Sequence, residues 1–569
     1  MEVVLPQLRW KTPSAVIEEL QYNLKAYPEI LDASSEYAFS QMPEEARKHL
    51  LLLSLFTSFV NLDILKNFVA RCGEVYRAVI GEPPADAGDY ERIMNEAVQN
   101  GFISRLQNHI YQLHPSLPPF LRHRLMESAG EGGVQKLDTE FLKFYADFAA
   151  QLDEEVRNAN QEAVSIVEIE ELNFLRALRI AVKTEQWALA QAIAQTLDEF
   201  YEIRGRFREW SALRSSLLNH TGREISIDAP RNLANLWMFL LGNEANEALR
   251  ENRIDDAEHS HKTIIQYLQT KTLPEPEAEP KIAVCYHQLG MIAQERQQFD
   301  VAEQWYHKAL GIRERMSMER DAADDYHQLG IIAQERQQFD AAEQWYRKAL
   351  EIFEKLGLER DAADDYHQLG IIAQERQQFD VAEQWYRKAL EIKERLNLER
   401  DAATDYHQLG MIAQERQQFD VAEQWYRKAL EIYEKLGLER YAATGYHQLG
   451  IIAQKRQQFD VAEQWYRKAL EIYDKIGHPP LKVDTLAQFG VLRFHQGRLH
   501  ESVVWFAKAY GIASAYRMPV VEMIKSDLRR LLEAMGREGF VNAWREATGG
   551  EEPRIDEIKV KGQVRREKN

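Results

Sequence analysis

The chain has 569 residues, 45% of them hydrophobic, a net charge of −19 and two cysteines. Its acidity argues against bulk affinity for nucleic acid or anionic lipid, which both need clustered Lys and Arg. No apolar run reaches the length of about eighteen residues that a membrane span needs. The start, MEVVLPQLRWK, has no basic region leading into an apolar core, so secretion is not expected either. Cys72 and Cys285 lie far apart without metal-ligand spacing, which fits a reduced, cytoplasmic setting.

In chain order, PEEARKHLLLLSLF (43–56) predicts one amphipathic helix and NLDILKNFVA (61–70) a second. GEPPADAGD then leads into a third helix over 90–100. In GFISRLQNHIYQLHP, alternating letters over 102–105 and 110–113 predict two strands around a short turn. Three helices and a two-stranded wing make a small winged-helix domain. The segment 171–210 predicts a further helical hairpin with imperfect repeat character.

The stretch YHQLGIIAQERQQFD fills 326–340 and returns unchanged at 366–380, and close copies start at Tyr286, Tyr406 and Tyr446, forty residues apart. Within 321–360, Ala322, Ala323, Tyr326, Leu329, Gly330 and Ala333 form one helix stripe. Ala342, Trp345, Tyr346, Ala349, Leu350, Phe353 and Leu356 form a second. Gln337-Gln338-Phe339 makes the turn between them, and Asp340 with Glu343 is placed like a capping box. Gly357 suits a left-handed helix end, and Asp361 is placed to cap the next helix. Each copy is a helical hairpin that buries its face only by stacking on its neighbours.

Gly330 and Ala342 let the two helices approach closely while Tyr346 and Ala349 fill around them. With Leu329, these letters stand at the spacing of the tetratricopeptide-repeat signature, and the region resembles that family. The resemblance implies an all-α fold, a right-handed superhelical solenoid of helical hairpins. Two features depart from it: the period is forty rather than about thirty-four, and the late proline is missing. The extra residues, around EKLGLER, are expected to lengthen the second helix and its loop. A sixth, diverged copy runs over 481–515 and a degenerate one over 240–269.

The order of winged helix, helical linker and repeats resembles the middle and end of STAND proteins, signalling nucleoside triphosphatases with an NB-ARC-type switch. Leu113-His114-Pro115 stands where that family has its short histidine motif, so the resemblance implies that His114 is a remnant of a nucleotide contact. The opening EVVLPQLRWKTPSAVIEELQ resembles the helix before such a winged helix, and LRRLLEAMGREGFVNAWREATG (528–549) resembles the terminal helices of such repeat proteins. No GxxxxGK[ST] loop occurs, nor a following strand ending in paired acids. This polypeptide alone is therefore not expected to hydrolyse nucleotide, and it reads as part of a larger architecture. The expected division is the end of a helical subdomain (1–35), a winged helix (36–130), a helical linker (131–230), and a degenerate repeat with its linker (231–280). Six forty-residue repeats (281–516), a C-terminal helical cap (517–550) and a flexible tail (551–569) follow.

Solenoids line their inner face mainly with first helices. The candidate groove is therefore Asp324, His327, Gln328, Ile331, Gln334 and Glu335, with Asp364, His367, Gln374 and Glu375 of the next copy. Thr404, His407 and Gln414 continue it, then Thr444, His447 and Lys455. Differences between copies collect at this edge and at Arg313, Phe353, Lys393, Tyr433 and Tyr473, which are expected to be exposed recognition positions. The histidines from His287 to His447 recur on helices stacked roughly 8–10 Å apart, too far to share an ion at about 2 Å, and are expected to pair with adjacent repeats. Trp305, Trp345, Trp385, Trp425 and Trp465 are expected to be buried packing. The third winged-helix segment, YERIMNEAVQN, offers Arg92, Asn95 and Gln99 to DNA but also Glu91 and Glu96, and the resemblance implies that the domain packs against the nucleotide domain rather than reading DNA.

No catalytic constellation, metal or cofactor is expected. These features point to a non-enzymatic sensor arm of a STAND-type regulator. Its ligand is expected to be a basic or mixed-charge protein or peptide, and its switch a nucleotide-binding domain supplied in cis or in trans. The alternatives are a freestanding scaffold or adaptor and a winged-helix transcription regulator.

Overall fold

The computed structural model describes residue 39 and residues 42–107, 109–270 and 278–555. The helix expected within 1–35 and most of the expected tail lie outside them. The chain divides into two compact units, Met1–Ala278 and Glu279–Asn569.

The first unit opens with α1 (Glu44–Leu50), which tightens into a 3-10 turn over Leu51–Leu55 instead of continuing to Phe56. Every residue of that turn is buried, so no amphipathic periodicity holds it to the wider α-helical pitch. Strand β1 (Phe59–Asn61) follows, too short for sequence alternation to reveal. Asn61 caps α2 (Leu62–Arg71) by accepting from the Asp63 N–H at 2.9 Å. A short α3 (Gly73–Val79), absent from the sequence prediction, precedes α4 (Ala87–Gln99), whose cap is Asp86. Strands β2 (Ile103–Gln107) and β3 (Ile110–Leu113) form the predicted hairpin, and β1 adds antiparallel to β3, giving the order β1-β3-β2. The sheet is therefore three-stranded rather than two-stranded.

Helices α5 (Leu117–Arg157, broken at Gly130), α6 (Gln161–Lys183), α7 (Trp187–Ile203) and α8 (Phe207–Thr221) come next. The hairpin of α9 (Arg231–Arg250) and α10 (Ile254–Thr270) contains the degenerate copy. A buried polar node ties β1 to α6. Asn173 accepts from the Thr57 N–H at 2.9 Å and donates to Phe59 O at 3.2 Å, while buried Glu170 accepts from Tyr145 and Asn173, both at 2.7 Å.

The second unit holds six hairpins, the first formed by Ala278–Glu295 and Phe299–Arg315 and the second by Glu319–Glu335 and Phe339–Leu356. The third pairs Glu359–Glu375 with Phe379–Arg395, the fourth Glu399–Glu415 with Phe419–Lys435, and the fifth Glu439–Lys455 with Phe459–Ile476. Val483–His495 and Leu499–Ala515 make the sixth, and a last helix, Val521–Thr548, breaks at Gly536 and packs on it.

Close approach inside each hairpin requires the glycine. A Cβ on Gly330 would stand 2.6 Å from the Tyr346 ring, whereas one on Gly445 would meet Leu430 at an ordinary 3.5 Å. Gly330→Ala should therefore destabilise by about 1–3 kcal/mol through overpacking. Gly445→Ala should stabilise by about 1 kcal/mol, because a helix-interior glycine costs entropy that alanine does not. Urea denaturation of both variants checks this, and shifts of the same sign would refute the packing account.

The turns differ from expectation at their caps. Gln337 takes the left-handed conformation (φ 59°), and helix Phe339–Leu356 starts after Gln338 with no side-chain cap. Asp340 and Glu343 thus lie inside its first turn, and Asp361 likewise lies inside a helix that starts at Glu359. The acids are used between repeats instead: Arg376 reaches Asp340 at 2.6 Å and Glu343 at 2.7 Å. Gly357 does adopt the left-handed end (φ 68°).

The tryptophans also depart from expectation, being half-buried. Trp345 stacks on Tyr326 at 5.6 Å with Lys348 over its ring, and Arg347 extends to Trp385 of the next hairpin at 5.2 Å. The result is a partly solvated ladder of rings and cations.

A candidate ligand groove and the buried ladder behind it

Asp324, His327, Gln328, Ile331, Gln334 and Glu335 share the less covered stripe of their helix, and the other copies repeat it. The structure separates these positions into two kinds. One kind is tied down. Gln334, Gln374 and Gln414 accept from the hydroxyls of buried Tyr346, Tyr386 and Tyr426 at 3.0, 2.9 and 3.2 Å. His327 and His367 reach forward to Asp365 and Asp405 of the next hairpin at 2.6 and 2.5 Å, as His287 does to Asp325 at 2.7 Å. The other kind is open. Among the described residues, Asp324, Asp364, Glu335, Glu375 and Lys455 have no hydrogen-bond or ion-pair partner.

Asp325, Asp365 and Asp405 were missed by sequence reasoning, yet all three are fully buried. The available signal was Asp325 itself, an acid standing at apolar spacing among Ala322, Tyr326 and Leu329. Each buried carboxylate meets a residue late in the preceding second helix. Arg313 pairs with Asp325 at 2.7 Å and Lys393 with Asp405 at 2.9 Å, both pairs buried. Phe353 occupies the equivalent position twelve residues before Asp365 and offers no charge. Where Tyr433 takes this place, the acid position is Gly445, and where Tyr473 takes it, Thr485.

This corrects the expectation that Arg313, Phe353, Lys393, Tyr433 and Tyr473 are exposed recognition positions. All five are buried, and two of them, Arg313 and Lys393, neutralise a buried carboxylate of the next hairpin.

The variation has electrostatic consequences. Burial pushes the Asp365 carboxyl up to about 6, against the lowering hydrogen bond and charge of His327. Burial works against charge on His327 too, but its hydrogen bond to Asp365 outweighs this and raises the imidazole. At the last two junctions the sign reverses. The acid opposite His407 is replaced by Gly445, His447 bonds Thr485 at 3.0 Å, and burial lowers both imidazoles to about 4 from an ordinary 6.5.

A buried histidine held neutral stabilises the fold above its unfolded value and loses that contribution as pH falls from 6.5 towards 4. The raised Asp365 and His327 act oppositely, gaining on acidification, so they do not cause that loss. Double replacement of His407 and His447 by Gln should therefore reduce the drop in melting temperature between about pH 7.5 and about pH 4.5. An unchanged pH profile would show that these imidazoles are not buried neutral.

Residues 281–515 match the family model for the Tetratricopeptide repeat in five overlapping segments, 281–355, 321–395, 361–435, 400–475 and 441–515. Residues 281–515 are tetratricopeptide repeats. No curated protein matches the chain. Among solved structures it is similar to a STAND protein with a tetratricopeptide repeat sensor from Pyrococcus horikoshii, at 15% identity over 96% of this chain and 71% of that one (TM-score 0.43). BtubC from P. vanneervenii is 22% identical over 39% of this chain and 92% of that one (TM-score 0.36). The Rap conjugation gene regulator of plasmid pLS20, in complex with the Phr* peptide, is 16% identical over 57% and 96% (TM-score 0.34). None of these likenesses bears on what this chain does.

Outside the tetratricopeptide repeats, His114 follows β3 and hydrogen bonds Ser116 Oγ at 2.7 Å. Arg92 is paired with Asp89 at 3.1 Å and Glu45 at 3.5 Å. Among the described residues no cluster of His, Cys, Asp or Glu could hold a metal, and no helix is long and apolar enough to cross a membrane.

Proposed function

We propose that the tetratricopeptide array binds a protein or peptide segment of basic or mixed charge along its first-helix stripes. In this reading it is the non-enzymatic, cytoplasmic sensor arm of a STAND-type regulator, acting on a nucleotide-switch domain supplied in cis or in trans. The observation that carries the binding role is the open set of charged side chains, Asp324, Asp364, Glu335, Glu375 and Lys455, framed by neighbours whose polar groups are already satisfied. The order of short helices, a small three-stranded sheet and a helical segment within the first unit, as a winged helix and linker would have it, supports the regulator reading.

The charge of the ligand follows from which acids remain free. The unit 321–360 contains nine acids and five bases, 5 − 9 = −4. Most of that charge never reaches a ligand. Asp325 is buried, Arg376 holds Asp340 and Glu343, and Tyr366 donates to Glu354. Glu359 is paired with Arg395, and of the other four, Asp321, Asp324, Glu335 and Glu351, it is Asp324 and Glu335 that belong to the candidate stripe, with Asp364 and Glu375 one repeat on. Thr404, Thr444 and Lys455 then reverse the trend. The acidic end attracts a basic segment.

Capture from native lysate on the whole chain identifies the partner. Replacing Asp324 and Asp364 with Asn should then slow association and flatten its salt dependence. Folding should change by less than about 0.5 kcal/mol, because these sites touch no partner. A partner that is acidic at its contact segment, or unchanged kinetics at low salt, would overturn the assignment.

A further inference from the structure

A cleft of about 440 Å³ opens between α6 and α8, within the first unit and outside the repeats. Its walls come from matching positions on the two helices: Leu175, Leu178 and Val182 on one, Leu213 and Leu217 on the other. On each helix they recur at the spacing of a single face. Leu178 and Leu217 are buried, while Leu175, Val182 and Leu213 are half-buried towards the opening. The remaining lining residues are Arg179, Lys183, His220 and Ser216. No acidic side chain lines the cleft. Among the described residues neither Arg179 nor Lys183 has an ion-pair partner, and both are exposed. His220 uses Nδ1 on Ser216 O at 2.8 Å, which leaves Nε2 free.

We propose that this cleft is a binding site for a small amphipathic anion, an aliphatic body ending in a carboxylate. The volume lies within the range of small-molecule sites, which are mostly apolar with few polar groups fixing orientation. From Leu175 to Val182 the helix rises about 10 Å, so the cleft accepts a chain of comparable length. Charge complementarity selects the head group. An aliphatic alcohol leaves Arg179 and Lys183 unused, and a cation is repelled by them. Both helices turn their C-terminal carbonyls towards the Lys183 end, which disfavours an anion there. The carboxylate is therefore held chiefly by Arg179, one turn back, with Lys183 and His220 closing around it.

The test uses the whole chain with decanoate, decanol and decyltrimethylammonium as probes, each below its micelle concentration, followed by calorimetry. Decanoate should bind saturably with one site. Arg179→Glu with Lys183→Glu should weaken it by about tenfold or more, as reversal of exposed charges does at a complementary site. Val182→Trp fills the cleft from a half-buried position and should abolish binding while the circular dichroism melt stays as in the parent. Absence of saturable decanoate binding would overturn the proposal, as would binding indifferent to both variants. Equal affinity for decanol would overturn the role of the cations.

Discussion

Asp405→Ala should cost about 3–5 kcal/mol of stability in the third and fourth hairpins, the usual penalty for removing one partner of a buried ion pair. The carboxylate is fully buried and serves two groups from the preceding hairpin, Lys393 Nζ at 2.9 Å and His367 Nδ1 at 2.5 Å. Alanine leaves the Lys393 ammonium buried without a counter-charge and His367 without its acceptor. The protein contains its own control. One repeat earlier the same carboxylate position, Asp365, is served by His327 alone, because Phe353 stands where Lys393 does. Lys393→Phe should therefore cost far less than Asp405→Ala, since a buried charge is exchanged for a packed ring the fold already accommodates. Hydrogen exchange across residues 359–435 reads both variants. Equal loss of protection in the two would mean that the ladder contributes packing and no electrostatics.

The second large effect is expected at the C-terminal end. Truncation after residue 516 removes the helix Val521–Thr548, whose Ile524, Leu528, Leu531, Phe540 and Trp544 are buried against Val503, Phe506 and Ala507 of the sixth hairpin. Each large apolar side chain left without its cover gives up about 1.5–3 kcal/mol of burial, so the truncated chain should aggregate. Deleting an internal unit, 361–400, should do no such harm. After that deletion His327 meets Asp405 beside Phe353, Arg416 replaces Arg376 at Asp340 and Glu343, and Arg347 meets Trp425. Every junction is remade by the same residue types, and in a solenoid stability is a sum of nearest-neighbour terms. Light scattering and circular dichroism distinguish the two outcomes. A soluble truncation with an unfolded internal deletion would contradict the solenoid.

The legible parts of the fold were those with a period. The forty-residue repeat, the two apolar stripes of each hairpin and the pairing of Gly330 with Tyr346 can be read directly, because burial on one helix face demands its own spacing. Strand β1 could not be read, since three residues carry no alternation and its pairing with β3 is made some fifty residues away. The caps went unread for a different reason. Asp340 and Glu343 have the letters of a capping box, but Arg376 of the next hairpin competes for them, and a charged partner outweighs a backbone N–H.

For the candidate groove the sequence identified the stripe but not which of its members are free. His327 and Gln334 look as available as Asp324 and Glu335 until Asp365, on another helix, and Tyr346, in the hairpin core, claim them.

By itself, then, the sequence determined the hairpins, their number and the order in which they stack, because each of these follows from contacts that repeat along the chain. Only the tertiary structure decided that Arg313 and Lys393, which carry surface letters, are buried as Phe353 is. A helical period says which residues share a face but not what lies across from it. For Arg313 and Lys393 the answer is a carboxylate twelve residues further along, on the next hairpin, and it is this counter-charge that lets a cation be buried there.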